Sequence, residues 1–437
     1  MEWYVALGFL LGLVIVFMAV GTPIALAFLA ANVIGAWYFM GGEAGVVQML
    51  DNGFGALSSF NLVPIPLFLL MGELFFRTGL GLRMFNAVDR LIGRVPGRLS
   101  YVTVAGGTAF STLSGSSMGS TALMGSLLVP EMERRGYKKH MSIGPILGTG
   151  GLAIIIPPSA LAVLLATLAK IDIGALLIAG ILPGLLLAAF YMVTIWIQTR
   201  LDPSAAPAYA LETISTREKL VLFFRDILPM ISVMIVIITL MLVGFATPSE
   251  SAAFGALGVI LLAFAFRCMT WEALKVSVIG ALKVTLMAYL IVFGSATFSQ
   301  LLAFSGASGG LIQWGIGFDL SPLLMLLAMF AVLLVLGTFM EQISIMMLTV
   351  PFFFPLAQAL GFDVIWFGII VLLALEISFS TPPFGLLLFV MKGVAPSGTS
   401  MATIYKAAIP YILCSMFLVA LLTAFPAIAT WLPGMLL

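Results

Sequence analysis

Residues 111–120 read Ser-Thr-Leu-Ser-Gly-Ser-Ser-Met-Gly-Ser, a polar run in the middle of the mostly apolar segment 99–133. Basic residues flank this segment on both sides, between Arg77 and Arg98 and again from Arg134 to His140. Because basic loops stay on the cytoplasmic side of a membrane, the segment leaves and returns on the same side. Two arms of about 15 residues reach roughly 22 Å, too short to cross a hydrocarbon core of about 30 Å. The pattern predicts a re-entrant helical hairpin with a polar tip.

The composition places most of the chain in lipid. Of its 437 residues, 62% are hydrophobic and 8% are charged, whereas soluble domains carry about 25% charged residues. Apolar runs of about 20 residues, enough to span a bilayer, recur along the chain. The first run lacks a basic leader and a cleavage site, which predicts a retained helix. The net charge of +1 gives no indication of nucleic acid binding.

Residues that usually carry catalysis are scarce. Cys268 and Cys414 fit no metal-binding spacing, and the single histidine, His140, lies in a basic run. An intramembrane serine hydrolase would need a histidine or aspartate partner for its serine. The sequence therefore predicts a protein that is not an enzyme.

Proline landmarks occur twice, in the same order. Four pairs, 225, 221, 225 and 227 residues apart, match Thr22-Pro23 to Thr247-Pro248, Val129-Pro130 to Val350-Pro351, Pro157-Pro158 to Pro382-Pro383, and Pro183 to Pro410. Self-similarity at one offset is typical of an internal repeat. We expect a first repeat at 1–200 with a hairpin at 99–133, a cytoplasmic polar linker at 201–224, and a second repeat at 225–437 with a hairpin at 322–355.

The charges predict that the two repeats are inverted. The basic loop before the first hairpin holds five arginines: Arg77, Arg83, Arg90, Arg94 and Arg98. The loops around the second hairpin, 305–322 and 361–363, hold no lysine or arginine and are expected outside. The predicted loop 267–283 holds Arg267, Lys275 and Lys283, whereas its first-half counterpart, the predicted loop 41–59, holds only the charged residues Glu43 and Asp51. An odd number of spans per repeat inverts the second copy. We therefore predict an all-α membrane protein of about ten spanning helices and two re-entrant hairpins, with both termini periplasmic.

Four helix breaks at matching positions are the candidate functional sites: 111–120, 148–159, the turn near Gly337, and 376–383. Non-helical backbone is tolerated at membrane depth only inside protein or along a cavity. Paired broken helices are the pattern of secondary transporters, in which carbonyls hold the coupling ion and helix N-termini face an anionic substrate. The alternative is that the small residues only pack helices together.

Hydroxyl and carbonyl oxygens suit a hard alkali cation such as Na⁺. The first predicted Na⁺ site comprises Ser114, Ser116, Ser117, Gly150, Gly151 and Pro157. The second comprises Gly337, Thr338, Ser378, Ser380 and Thr381. The predicted substrate-binding residues are Ser116, Ser117, Ser159, Thr338 and Pro383.

Acidic residues at or near membrane depth leave a further alternative open. Glu73, Glu250, Glu341 and Glu376 are functional candidates because an ionisable group in a bilayer is costly. They allow a proton relay, although the spans contain no histidine and few basic partners.

Several motifs together resemble the large, DctM/SiaM-like membrane subunit of tripartite ATP-independent periplasmic (TRAP) transporters, over essentially the whole chain. They are Ser-Gly-Ser-Ser-Met-Gly-Ser at 114–120, Val-Pro-Glu-Met at 129–132, the Gly-Gly to Pro-Pro-Ser stretch at 150–159, Thr-Pro-Ser-Glu-Ser-Ala-Ala at 247–253, and Ser-Thr-Pro-Pro-Phe-Gly at 380–385.

The resemblance implies Na⁺-driven import of a small organic acid across the bacterial inner membrane by an elevator movement. It also implies two partners, a small four-helix membrane subunit and a periplasmic substrate-binding protein. A stand-alone Na⁺/dicarboxylate symporter of related two-hairpin fold is the alternative.

Overall fold

A computed structural model describes residues 2–93, 95–207, 215–317 and 320–435. In these ranges all regular secondary structure is helical, and seven helical segments are long and apolar enough to cross a membrane. Five further apolar helices are shorter, at 10–17 residues. The prediction of an all-α, multi-pass membrane protein is confirmed. The number of ten spans, the inversion of the repeats and the position of the termini stay predictions, and Arg94 lies outside the described residues.

Twenty-two α-helices are described. In the first half they are α1 (Trp3–Ala19), α2 (Ile24–Phe39), α3 (Glu43–Leu57), α4 (Pro64–Arg77), α5 (Leu80–Leu91), α6 (Arg98–Ser114), α7 (Ser117–Arg134), α8 (Lys139–Gly151), α9 (Ala160–Ala169), α10 (Ile173–Ala179) and α11 (Ile181–Leu201). In the second half they are α12 (Thr216–Leu222), α13 (Leu228–Leu242), α14 (Pro248–Ala265), α15 (Trp271–Phe304), α16 (Ala307–Ile316), α17 (Pro322–Gly337), α18 (Gln342–Ala359), α19 (Val364–Phe379), α20 (Leu386–Val394), α21 (Met401–Ala424) and α22 (Ala427–Thr430). A π-helical turn, Phe223–Ile227, joins α12 to α13.

The first hairpin consists of α6 and α7, which pack against each other. Its non-helical tip is shorter than the polar run 111–120, because residues 111–114 end α6 and residues 117–120 begin α7. Gly115 makes the turn with a φ of 62°, and Ser116 caps α7 by accepting a hydrogen bond from the Gly119 N–H at 3.1 Å. The threonines of α6 fit within the helix because they bond its own backbone, as Thr112 Oγ1 does to the Thr108 carbonyl at 2.7 Å.

The second hairpin consists of α17 and α18, and it runs four residues beyond the predicted end at 355. The chain leaves the helical conformation between Gly337 and Gln342. Pro351 and Pro355 lie inside α18 without ending it. Neighbouring helices and side chains can satisfy the carbonyls that a transmembrane proline leaves free.

Both double prolines lie in breaks between helices, and both Pro-Pro bonds are cis. The breaks start later than predicted, since residues 148–151 belong to α8 and residues 376–379 belong to α19. A short 3₁₀ turn follows α8. The irregular backbone is thus confined to residues next to the prolines, where an N–H donor is missing.

Three predicted loops contain helices instead. Residues 41–59 contain α3, residues 305–322 contain α16, and Lys275 and Lys283 lie within the 34-residue α15. Helix α15 packs along α2, α3 and α4, and Gly53 of α3 lies against the Phe293 ring. Packing on α15 explains why segments of modest hydropathy are ordered as helices.

An ion pair and backbone hydrogen bonds hold the described part of the linker against the base of the first hairpin. Lys138 Nζ lies 2.5 Å from Asp202 Oδ2, and hydrogen bonds from Lys138 and Ser204 lower the pKa of Asp202 to about 2. The Lys138 N–H donates to the Ala205 carbonyl at 2.8 Å, and the Gly97 N–H donates to the Ala206 carbonyl at 3.2 Å. These contacts hold both ends of the hairpin to one short segment. Residues 208–214 of the predicted linker lie outside the described residues.

Helix α4 touches the first tip at a glycine. A Cβ atom on Gly72 would overlap the Ser114 carbonyl, whereas one on Gly55 of α3 would meet nothing within 4 Å. We expect Gly72→Ala to lower stability by about 1–3 kcal/mol through overpacking. The matched Gly55→Ala change should be neutral or slightly stabilising. Thermal unfolding of the two variants in detergent checks this, and equal unfolding temperatures would argue against a close α4–tip contact.

Candidate transport site

The two hairpin tips face a common cavity of about 300 Å³. The cavity is lined from four sides, by the first tip, the second tip, the start of α9 and a wall formed by α4 and α15. The lining residues are Ile65, Leu69, Glu73, Ser114, Gly115, Ser116, Ser117, Met118, Ala160, Leu161, Leu164, Val284, Met287, Ala288, Glu341, Gln342, Ile343 and Phe379. The structure therefore brings together breaks that are more than 200 residues apart in sequence.

The first tip supplies the hydroxyl groups that line the cavity. Ser114 Oγ lies 2.7 Å from Ser120 Oγ and donates to the Ser111 carbonyl at 3.1 Å. Ser116 is exposed, whereas Ser117 is buried at 7% exposure. These hydroxyls keep acceptor lone pairs that can face a bound cation or a donor group of a substrate.

Three helices begin at the cavity. The first residues of α7, α9 and α18 are Ser117, Ala160 and Gln342, and all three line it. A helix N-terminus carries a partial positive charge and unpaired N–H groups, so it attracts anions. Of the two lining carboxylates, Glu73 pairs with Arg77 at 3.2 Å, while Glu341 precedes α18 without forming a side-chain cap. The cavity can hold a carboxylate against the helix starts.

The first predicted Na⁺ site is partly assembled. Gly150 lies beside both the Ser117 carbonyl, which is 3.3 Å from where a Cβ would stand, and the hydroxyl of Thr121. Gly151 packs against the carboxyl group of Glu376. Pro157 is buried in the turn before α9 and does not line the cavity. The serines of the tip and the glycines of α8 thus come together, whereas Pro157 lies behind them.

Two hydroxyls near this site were not among the predicted Na⁺ ligands, although Ser111 lies in the predicted break at 111–120. Ser111 Oγ and Thr121 Oγ1 are fully buried, and neither has a hydrogen-bond partner among the described residues. Buried polar atoms are almost always paired, so an unpaired one calls for an explanation such as an ion. The available signal was spacing, because Thr121 lies four residues after Ser117 and hence on the same helix face.

The second predicted site brings Gly337 directly against the side chain of Ser378. Ser378 Oγ donates to the Leu375 carbonyl at 3.0 Å. Ser380 and Thr381 both donate to the Ile377 carbonyl, at 3.1 and 2.6 Å. Thr338 bonds its own helix through the Val335 carbonyl at 2.7 Å. Each hydroxyl donates its hydrogen bond to a nearby backbone carbonyl, so its oxygen lone pairs remain free to bind a cation.

Of the predicted substrate-binding residues, Ser116 and Ser117 line the cavity, and Ser159, Thr338 and Pro383 do not. Ser159 caps α9, accepting from the Ala162 N–H at 3.2 Å and donating to the Ile154 carbonyl at 2.7 Å. The Pro383 carbonyl accepts a hydrogen bond from the Tyr405 hydroxyl at 2.7 Å. At the second tip the cavity is lined by Glu341 and Gln342, which were not predicted as substrate ligands, and not by Thr338.

Comparison with known proteins places this architecture in a family. Residues 11–428 match the model of the tripartite ATP-independent periplasmic transporter, DctM component. The chain belongs to this family. It is 33% identical to the C4-dicarboxylate TRAP transporter large permease protein DctM of Pseudomonas aeruginosa, over 88% of each chain. It is 28% identical to the sialic acid large permease SiaM of Vibrio cholerae, over 92% of this chain and 93% of that one. The chain is therefore a transporter permease of the inner membrane and not an enzyme.

Among solved structures, the chain resembles the YdaH transporter of Alcanivorax borkumensis, with a TM-score of 0.64 and 13% identity over 93% of this chain and 96% of that one. It also resembles MtrF of Neisseria gonorrhoeae, with a TM-score of 0.59 over 88% of this chain and 85% of that one. At 13% and 14% identity, these likenesses show a shared fold.

Replacing the Thr121 hydroxyl tests whether it belongs to the first predicted ion site. Thr121→Val keeps the shape and removes one oxygen, so we expect the half-saturating Na⁺ concentration to rise about tenfold, equivalent to about 1.4 kcal/mol. Na⁺-dependent thermal stabilisation of the purified protein measures it. Thr423→Val in α21, whose hydroxyl bonds the Val419 carbonyl, is the control. Equal Na⁺ responses of the two variants would remove Thr121 from the site.

Proposed function

We propose that this protein is the large permease of a TRAP transporter that imports a small organic acid by Na⁺ symport. The observation that carries the proposal is the cavity shared by both hairpin tips, where helix starts and hydroxyls converge. Family membership supports secondary transport of organic acids with a binding protein. The carboxylate of the substrate lies against the starts of α7 and α9, and Na⁺ lies behind the tips.

The chemistry of the oxygen atoms supports Na⁺ as the coupling ion. The described residues hold no group of three or more His, Cys, Asp or Glu side chains that could bind a metal ion. Hydroxyls and carbonyls next to broken helices are instead the ligands by which secondary transporters hold Na⁺. The unpaired hydroxyls of Ser111 and Thr121 are consistent with such an ion at the first tip.

The lining of the cavity supports an elevator movement. The tips supply polar groups, whereas α4 and α15 form a mostly apolar wall of Ile65, Leu69, Val284, Met287 and Ala288, in which Glu73 is the charged residue. A movable body that holds the substrate can slide along an apolar wall without breaking hydrogen bonds. We propose that the hairpins and their neighbouring breaks move as this body, that α4 and α15 belong to the fixed frame, and that the two halves are inverted repeats.

The proposal includes two partners, a small four-helix membrane subunit and a periplasmic substrate-binding protein. The chain covers 66% of the isethionate TRAP transporter permease DctMQ of Oleidesulfovibrio alaskensis, at 28% identity. That relative therefore carries sequence beyond the region matched here.

Reconstitution distinguishes the tripartite transporter from a stand-alone symporter. In proteoliposomes with an inward Na⁺ gradient, permease and small subunit should take up the organic acid only when its binding protein is added. A K⁺ gradient in place of Na⁺ is the control and should give background uptake. Uptake that proceeds equally without the binding protein would favour the stand-alone symporter.

Removing one oxygen from each predicted ion site should weaken Na⁺ activation. Ser117→Ala with Thr381→Val leaves both helix breaks in place but removes two hydroxyls. We expect the Na⁺ concentration for half-maximal uptake to rise tenfold or more, since each lost interaction with a charged group is worth about 1.5–3 kcal/mol. The single variants show which site contributes. Unchanged Na⁺ activation in the double variant would count against both sites.

A further inference from the structure

Glu376 is an acidic side chain with no compensating charge. It lies in the last turn of α19 and is 3% exposed. The hydroxyl of Tyr191 approaches its Oε1 at 3.5 Å, while Oε2 has no hydrogen-bond partner among the described residues. None of the ion pairs in the described part of the chain includes Glu376. A buried carboxylate without a positive partner is strongly unfavourable.

The polar groups that surround this carboxylate are neutral. Tyr191 Oη lies 3.0 Å from Ser415 Oγ, and the rings of Tyr191 and Tyr411 are 5.2 Å apart. Tyr411 is buried and its hydroxyl has no partner among the described residues. Tyr191 offers Glu376 one long hydrogen bond, and none of these groups carries a positive charge. A carboxylate in this setting would be stabilised by a nearby cation.

The position of Glu376 relates it to the first predicted Na⁺ site. Gly151 packs so closely on the carboxyl group that a Cβ there would overlap Oε1, and the preceding Gly150 packs on the Thr121 hydroxyl and the Ser117 carbonyl. The side-chain directions of successive residues in an α-helix differ by about 100° around the helix axis. The carboxylate and the oxygen atoms of the first tip therefore lie on adjacent sides of the end of α8.

We propose that Glu376 supplies the negative charge that compensates the Na⁺ ion bound beside Gly150 and Gly151. Hydroxyls and carbonyls alone leave the ion's charge unbalanced at membrane depth, and one carboxylate neutralises it. The movable body then carries ion and carboxylate as a neutral pair. The inference rests on the proposed function, because it requires Na⁺ to be the coupling ion.

The test measures Na⁺ binding without transport. The purified full chain is titrated with NaCl against choline chloride at constant ionic strength, and the unfolding temperature is followed, because a ligand that binds the folded state raises it with concentration. Glu376→Gln keeps the side-chain shape and removes the charge. We expect its half-saturating Na⁺ concentration to rise tenfold or more, while its unfolding temperature in choline equals or exceeds that of the natural protein.

Two further variants complete the experiment. Glu272→Gln removes an exposed carboxylate in the first turn of α15 and should leave the Na⁺ titration unchanged. Glu376→Asp keeps the charge but withdraws it by one methylene, so its half-saturating concentration should fall between those of the natural protein and Glu376→Gln. If Glu376→Gln does not fold, a Na⁺ titration of Glu376→Asp equal to that of the natural protein overturns the inference.

The outcomes separate the two proposals. A Na⁺ response in the natural protein that is retained unchanged in Glu376→Gln overturns the role of Glu376 and leaves Na⁺ coupling intact. No Na⁺ response in the natural protein overturns Na⁺ coupling, and the inference with it.

Discussion

The hydrocarbon interior accepts no unpaired backbone polar group, and the rest of this structure depends on that constraint. The break at 152–159 is buried throughout. Gly115 of the first tip and Glu341 of the second tip line the shared cavity, and the second double-proline break is partly exposed. Backbone groups that are unpaired at a break are unfavourable in lipid, and the same unpaired groups can bind a ligand.

The close approach of these breaks depends on small residues. Gly72 admits the Ser114 carbonyl, Gly150 admits Thr121, and Gly337 admits Ser378. In a bilayer the hydrophobic effect gives helices little reason to associate, so close packing and polar contacts hold them together. Each glycine therefore serves both stability and site geometry. An added methyl group would push apart the atoms that form the proposed ion sites.

Much of this could be read from the sequence, and the failures have physical reasons. The hairpins and the double-proline breaks were predicted because proline and hydroxyl clusters act locally. Helices α3 and α16 were taken for loops, since their order comes from packing on neighbours such as α15. Thr121 and Ser111 were not assigned as Na⁺ ligands because a hydroxyl in a helix normally bonds its own backbone, and only the folded neighbours show that these two do not.

The sequence by itself determined that the chain lies in a lipid bilayer, which family it belongs to and roughly where its helices break. Hydropathy, basic loops and prolines give these signals because they act over short stretches of chain. The tertiary structure decided which breaks meet. It placed Glu341 and Gln342 at the cavity beside Ser116 and Ser117, left Pro383 outside it, and set Glu376 against Gly151. The physical reason is that a site in a membrane protein is made by contacts between helices distant in sequence, and no local pattern encodes which helix faces lie opposite each other.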